Sequence, residues 1–215
     1  MELVQSGFVS VNGNITREPS LDVDSKKDVV QVGGKIIRTK DYEYILLNKP
    51  KGFVTTKEDK FADKTVYDLL PPSFKHLSPV GRLDKNTEGL LIFTNDGRLT
   101  QKLTHPSFNV KKTYFVKIDG ILAEGDKKLL EDGIILEGKK TAPAQIGNVK
   151  FNNGITEFNL TIHEGRKRQI RRMVEIIGKK VVYLSRVSQG GLKLGGLKKA
   201  SFRTLTKEEI QKLLQ

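Results

Sequence analysis

Cysteine is absent from the 215 residues. That removes disulfides, cysteine-based zinc sites and thiol nucleophiles, and it fits a reducing compartment. No apolar run approaches the roughly 20 residues that a membrane span needs. The opening residues, Met1-Glu2-Leu3-Val4-Gln5-Ser6-Gly7, lack a basic stretch followed by an apolar one, so no secretory signal is read. The expectation is a soluble, cytoplasmic protein with no membrane partner. The three histidines, His76, His105 and His163, lack metal-ligand spacing, and no metal site is expected. No Gly-Lys-Ser/Thr follows Gly190-Gly191 or Gly195-Gly196, which excludes a phosphate loop and leaves hairpin turns. Internal repeats and low-complexity segments are also missing.

Acidic charge is scarce in one half of the chain only. The net charge is +13, which points to a polyanionic partner such as RNA, DNA or an anionic membrane, with ordinary solubility as the plainer explanation. Residues 1–41 carry six Lys/Arg and six Asp/Glu, so the whole excess lies in 42–215. Residues 165–199 hold eleven Lys/Arg against one acid, Glu175, and form the expected polyanion-binding face. Apolar residues make up 37% of the chain, ample for a buried core.

The local pattern mixes short strands and helices without regular alternation. Asn12-Gly13 suits a tight turn between two short β runs, and Gly33-Gly34 joins a second pair over 29–32 and 35–38. This N-terminal unit is too small to bury much surface alone. From Tyr44 the pattern changes. Strands are expected over 44–47, 89–94, 112–118, 155–162, 181–184 and 201–203, and short helices over 65–70, 97–104 and 126–131. Asn95 or Asp96 caps the second of these, and His105-Pro106 stops it. Ile170, Met173, Val174 and Ile177 make one apolar stripe, which predicts a helix over 166–177 with Arg166, Lys167, Arg168, Arg171 and Arg172 in its first two turns. Cations there oppose the helix dipole at about 0.3–1 kcal/mol each, so a phosphate or carboxylate partner would offset them. Thr206 and Glu209 form a capping box for a final helix. The fold class expected is α+β with a mainly antiparallel sheet.

Gly81-Arg82-Leu83-Asp84-Lys85-Asn86-Thr87-Glu88-Gly89 is a loop ahead of a buried strand, dense in functional groups. On spacing alone it fits a solvated turn as well as a site. The wider stretch, from Val80 through Leu91, resembles the signature loop of the RsuA/RluB family of pseudouridine synthases. The likeness continues through Thr94-Asn95-Asp96-Gly97 and Leu103-Thr104-His105-Pro106. Asn48-Lys49-Pro50-Lys51-Gly52 is similar to the family's upstream motif and Lys112-Thr113-Tyr114 to its tyrosine motif. Glu164-Gly165-Arg166-Lys167-Arg168-Gln169-Ile170-Arg171-Arg172-Met173 is similar to its third motif. These blocks fall in the family's order over roughly 44–206. Leu3 through Gly13 is similar to the second half of an S4 RNA-binding domain, without the basic helix that normally comes first. The resemblance therefore implies a partial S4-like segment over 1–41. A catalytic domain with a central active-site cleft follows over 42–215.

The resemblance also implies roles. Asp84 matches the essential aspartate of a reaction that breaks the uridine glycosidic bond, turns the base and rejoins it through carbon. The substrate is both donor and acceptor, so no cofactor is implied. A carboxylate can attack the sugar C1′ or assist loss of the base, and the sequence leaves both routes open. Arg171 matches the basic residue that pairs with the aspartate, and Tyr114 the tyrosine that meets the base. Arg82 matches the residue that enters the RNA stack when the target leaves it. Lys85, Lys167, Arg168 and Arg172 complete the expected RNA contacts. The partner implied is ribosomal RNA, with the large-subunit RluB-like branch nearest through Thr141-Ala142-Pro143-Ala144. Small-subunit rRNA or tRNA is the alternative substrate. A non-catalytic RNA-binding assembly factor would instead show a broken active site, and a DNA regulator would need a helix-turn-helix that is not read here. A monomer is the default.

Overall fold

The computed structural model describes residues 2–24, 27–37, 41–57 and 64–215. The chain divides into two compact units, Met1–Tyr42 and Glu43–Gln215. The first holds helix α1 (Glu2–Gln5) and strands β1 (Val9–Val11), β2 (Asn14–Thr16), β3 (Val30–Val32) and β4 (Lys35–Ile37), in the sheet order β2-β1-β3-β4. Asn12 and Gly13, at φ 51° and 84°, make the expected β1–β2 turn, which needs positive φ at both central positions. Among its described residues only Val9 is buried, as its size requires. Arg38, the last residue of the expected fourth strand, lies outside the described residues.

The second unit runs β5 (Tyr44–Lys49), β6 (Ser78–Pro79), β7 (Glu88–Thr94), α2 (Gly97–Thr104), β8 (Lys112–Asp119) and α3 (Glu124–Asp132). It continues with β9 (Ile135–Leu136), β10 (Lys139–Lys140), β11 (Gln145–Asn152), β12 (Ile155–Ile162) and α4 (Gln169–Ile176). It closes with β13 (Val181–Gln189), β14 (Leu192–Lys193), β15 (Phe202–Thr204) and α5 (Lys207–Leu214). Its nine-stranded sheet follows the path β11-β12-β8-β13-β7-β5-β15, with β14 on β13 and β6 on β7. All these pairs are antiparallel except β7–β13. The mixed, mainly antiparallel α+β architecture is the one expected.

Strands β5 and β7 carry apolar runs, Tyr44–Leu47 and Leu90–Phe93, because both of their faces are covered. Leu91 and Phe93 of β7 and Ile45 and Leu47 of β5 join a core with Val116, Leu160 and the α4 residues Ile170, Met173 and Val174. Leu90, Ile92, Tyr44 and Leu46 point the other way, against Leu99 and Leu103 of α2 and Leu213 of α5. Asp96 fixes the α2 end of this second layer. Its Oδ1 accepts from the amides of Arg98 and Leu99 (2.9 and 3.1 Å), and its Oδ2 accepts from the Tyr44 hydroxyl (2.9 Å).

The parallel β7–β13 contact pairs Glu88 with Ser185 and Gly89 with Arg186. Gly89 sits at φ 101°, and a Cβ there would fall on the Arg186 carbonyl oxygen and lie 2.6 Å from Ser185 Oγ. Only glycine allows this approach, and the approach sets where the preceding loop stands. Gly89→Ala is expected to destabilise the protein by roughly 2–5 kcal/mol, combining left-handed backbone strain with overpacking. A urea midpoint unchanged from wild type would refute that account.

Candidate active site

The Asp84 loop is held from beneath by a buried ammonium. Lys49 closes β5, and its side chain is fully buried. Its Nζ donates to the carbonyl oxygens of Thr87 (2.8 Å), Asp84 (3.0 Å), Pro50 (3.3 Å) and Lys85 (3.4 Å). Three ammonium protons serve four acceptors, so these bonds are shared. Burial pushes Lys49 down to about 8 from 10.5, against the opposing charges of Asp84 and Glu88. Further along the loop, the Thr55 hydroxyl donates to Leu83 O (2.8 Å) and accepts from Leu83 N–H (3.2 Å). Gly52 N–H donates to Lys85 O (2.8 Å) and Thr87 N–H to Asp84 O (2.9 Å). The backbone of 83–87 is thus gripped from several directions, while the Asp84 side chain stays half-buried at the edge of a cleft.

That cleft has a volume of about 610 Å³. Arg82, Asp84 and Lys85, the segment 165–171, and Tyr114, Ile162 and Leu184 line it. Of the expected site residues, Arg82, Asp84, Lys85, Tyr114, Lys167, Arg168 and Arg171 all line it. Tyr114 arrives from β8 with its side chain buried, beside Leu160 in register on β12. Arg82, Lys85, Lys167 and Arg168 are exposed, so their charges stand at the rim.

Several details differ from the sequence reading. The helix begins at Gln169, so Arg166, Lys167 and Arg168 precede it rather than occupy its first turns. Arg168 takes φ 51°, a left-handed conformation that costs a non-glycine residue about 1–2 kcal/mol. It turns the chain so that the cationic segment faces the cleft. Arg166 is spent on structure: it donates to Glu164 Oε2 (3.1 Å) and to the carbonyls of Lys139 (2.9 Å) and Lys140 (2.6 Å). Arg172, expected among the RNA contacts, does not line the cleft and pairs with Glu137 at 2.9 Å. Successive helical residues point about 100° apart, so Arg171 and Arg172 cannot share a target.

Arg171 also departs from the simple picture of an Asp84 partner. Its Nη2 donates to Asn86 O (2.7 Å) and its Nη1 to Val181 O (3.3 Å), not to the Asp84 carboxylate. Burial, then the charge of Arg168, hold it below its usual range, and the nearby Asp84 acts in the opposite direction. The guanidinium therefore fixes the turn after Asp84 and supplies its charge at short range. His105 ends α2, as read from the sequence, and His163 Nδ1 lies 3.1 Å from Asn109 O, outside the cleft lining.

Sequence reasoning gave no role to Lys49, Thr55 or Glu88. A lysine closing a strand that opens on the apolar run Tyr44-Ile45-Leu46-Leu47 was the available signal for the first. Glu88 is buried, which tends to raise it. Hydrogen bonds from Lys199 (2.7 Å) and Tyr183 (2.9 Å), with the Lys199 charge, outweigh that and hold it below the ordinary carboxylate range.

Residues 43–175 match the family described as RNA pseudouridylate synthase, starting where the second unit starts. Ribosomal large subunit pseudouridine synthase B of Bacillus subtilis is 39% identical over 214 residues, covering 99% of this chain and 87% of that protein. An RNA pseudouridine synthase of Aquifex aeolicus is 35% identical over 215 residues, covering 100% and 86%. The crystal structure of a pseudouridylate synthase superposes with a TM-score of 0.73 at 31% identity, over 99% of this chain and 91% of its own. The match runs through the Asp84 loop, Tyr114 and Arg171, and the chain belongs to the RNA pseudouridylate synthase family, enzymes that isomerise uridine to pseudouridine in RNA.

Proposed function

We propose that this enzyme modifies one uridine of large-subunit ribosomal RNA, as a member of the RsuA/RluB branch, with Asp84 as its catalytic carboxylate. The observation that carries the catalytic assignment is the gathering of Asp84, Tyr114 and Arg171 in one cleft under a cationic rim. The target uridine leaves its helix and enters the cleft, at an unstacking cost of a few kcal/mol. Arg82, exposed at the rim, takes the vacated place in the stack. The Tyr114 ring packs against the uracil, and the Asp84 carboxylate meets C1′. Attack on the sugar and assisted loss of the base both use that carboxylate, with the Arg171 cation close by. Lys85, Lys167 and Arg168 neutralise phosphates around the opening.

The choice of ribosomal RNA is supported by the near full-length similarity to the Bacillus subtilis protein. The first unit is read as a partial S4-like segment whose balanced charge leaves RNA affinity to residues 165–199. The proposed place of action is the cytoplasm. Among the described residues no helix is long and apolar enough to cross a membrane.

The test is to incubate the protein with unmodified 23S, 16S and transfer RNA and to map pseudouridine by carbodiimide-blocked primer extension. One new stop in 23S rRNA is expected. A stop confined to 16S or transfer RNA would overturn the substrate assignment and leave the chemistry standing.

A further inference from the structure

A second pocket of about 370 Å³ lies on the far side of Arg171. Lys51, Asn86, Glu88, Arg171, Lys180 and Tyr183 line it. Arg171 and Leu184 belong to both this pocket and the catalytic cleft. The turn after Asp84 divides the two, with Lys85 on the cleft side and Asn86 on the other. Arg171 bridges the divide, since its guanidinium donates to Asn86 O on the turn and to Val181 O at the start of β13. Its Nε is buried without a partner among the described residues.

The lining favours an anion. It offers three cations and one carboxylate, and that carboxylate is already committed. Glu88 accepts from the Tyr183 hydroxyl at 2.9 Å and from Lys199 Nζ at 2.7 Å. The Tyr183 ring is occupied too, with Lys199 Nζ 5.4 Å from its centroid and Phe115 edge-on at 6.1 Å, so it is poorly placed to stack on a base. Lys51 and Lys180 are exposed and have no ion pair among the described residues. Two free ammonium groups beside a shared arginine suit a phosphate, and they read no base edge.

We propose that this pocket holds a backbone phosphate of the RNA strand flanking the target uridine, reached by crossing Arg171 from the cleft. The inference rests on the Asp84 cleft being the place where the uridine enters. It makes Lys51 and Lys180 positioning contacts that set affinity and register and leave the chemical step to Asp84.

The test uses the full chain with the double substitution Lys51→Gln, Lys180→Gln. Affinity for an RNA fragment carrying the target site is measured by filter binding, and single-turnover rate at saturation is measured separately. Two lost phosphate contacts at about 0.7 per tenfold change in salt give a salt slope shallower by about 1.4 and an affinity lower by roughly 25-fold at 0.1 M salt. The saturated rate is expected to stay within about twofold of wild type, because these contacts position the strand rather than enter the chemistry. Trimming the RNA on the flank that crosses Arg171 should make wild type and variant bind equally, while trimming the other flank preserves the difference. Unchanged affinity and slope on the full fragment would overturn the proposal, as would a difference that survives both trims, which marks a free-anion site or a diffuse charge effect. Absence of product from wild type would tell against the cleft reading instead, because the binding measurement stands apart from turnover.

Discussion

Asp84→Asn is expected to reduce pseudouridine formation by about 10⁴-fold or more, the range seen when a nucleophile or its equivalent is removed. The change replaces one carboxylate oxygen by an amide of similar size. It leaves untouched the Asp84 carbonyl, which accepts from Lys49 Nζ at 3.0 Å and from Thr87 N–H at 2.9 Å. The loop should therefore keep its position. RNA affinity is expected to hold or rise slightly, because a negative charge leaves a cationic cleft. Both routes open to the carboxylate fail in the variant, since a neutral amide neither attacks C1′ nor protects a cationic sugar. The measurement is single-turnover conversion of the mapped uridine at saturating enzyme, alongside filter binding and a thermal midpoint. Retained conversion within about tenfold of wild type, with binding intact, would remove Asp84 from the chemistry and return the cleft to an RNA-holding role.

How much of this was legible in the sequence depends on the range of the interaction. The Asn12-Gly13 turn, the α2 cap, which falls on Asp96 of the Asn95–Asp96 pair, and the Thr206–Glu209 capping box are local, and the residues alone placed them. The run ending β7 was readable because a strand covered on both faces has to be apolar throughout. Strand β11 carries only a short alternation, Val149-Lys150-Phe151-Asn152, and its residues are mostly exposed, so no buried face marks it. The start of α4 was misplaced because periodicity cannot see Arg168 adopting a left-handed turn. The site shows the same division. Ordered motifs named Asp84, Tyr114 and Arg171, but their partners are backbone groups up to 85 residues away, as in the bond from Arg171 to Asn86 O. A carbonyl has no side-chain signature, so neither the true partners of Arg171 nor the clamp made by Lys49 could be read from residue types.

Lys49→Met is expected to lower the saturated rate by about 100-fold, the effect of misplacing a reacting group by about 1 Å, with a much smaller effect on stability. Two opposing terms explain the split. The carbonyls of Thr87 and Pro50 lose this donor, at about 1–3 kcal/mol for each one left buried and unsatisfied, while Asp84 O keeps the Thr87 N–H and Lys85 O keeps the Gly52 N–H. Against this, the protein no longer buries an ammonium, and the gap between about 8 and 10.5 is worth about 3 kcal/mol. The net change in stability is small, while the position of the Asp84 loop is lost. The same lysine gives the wild type a pH signature. As pH rises through about 8 the ammonium deprotonates, keeps two N–H donors instead of three, and turns a lone pair toward carbonyl oxygens, so the rate falls. Stability moves the other way. Below pH 8 both folded and unfolded chains carry the proton and the burial cost is fully present. Between about 8 and 10.5 only the unfolded chain carries it, so this group's contribution to stability rises with pH. A rate that falls through pH 8 without any loss of stability therefore marks a loosened loop, not unfolding. The residual rate of Lys49→Met should lack that step. A Met variant with the wild-type rate, or one that keeps the step near pH 8, would show that the clamp does not position Asp84.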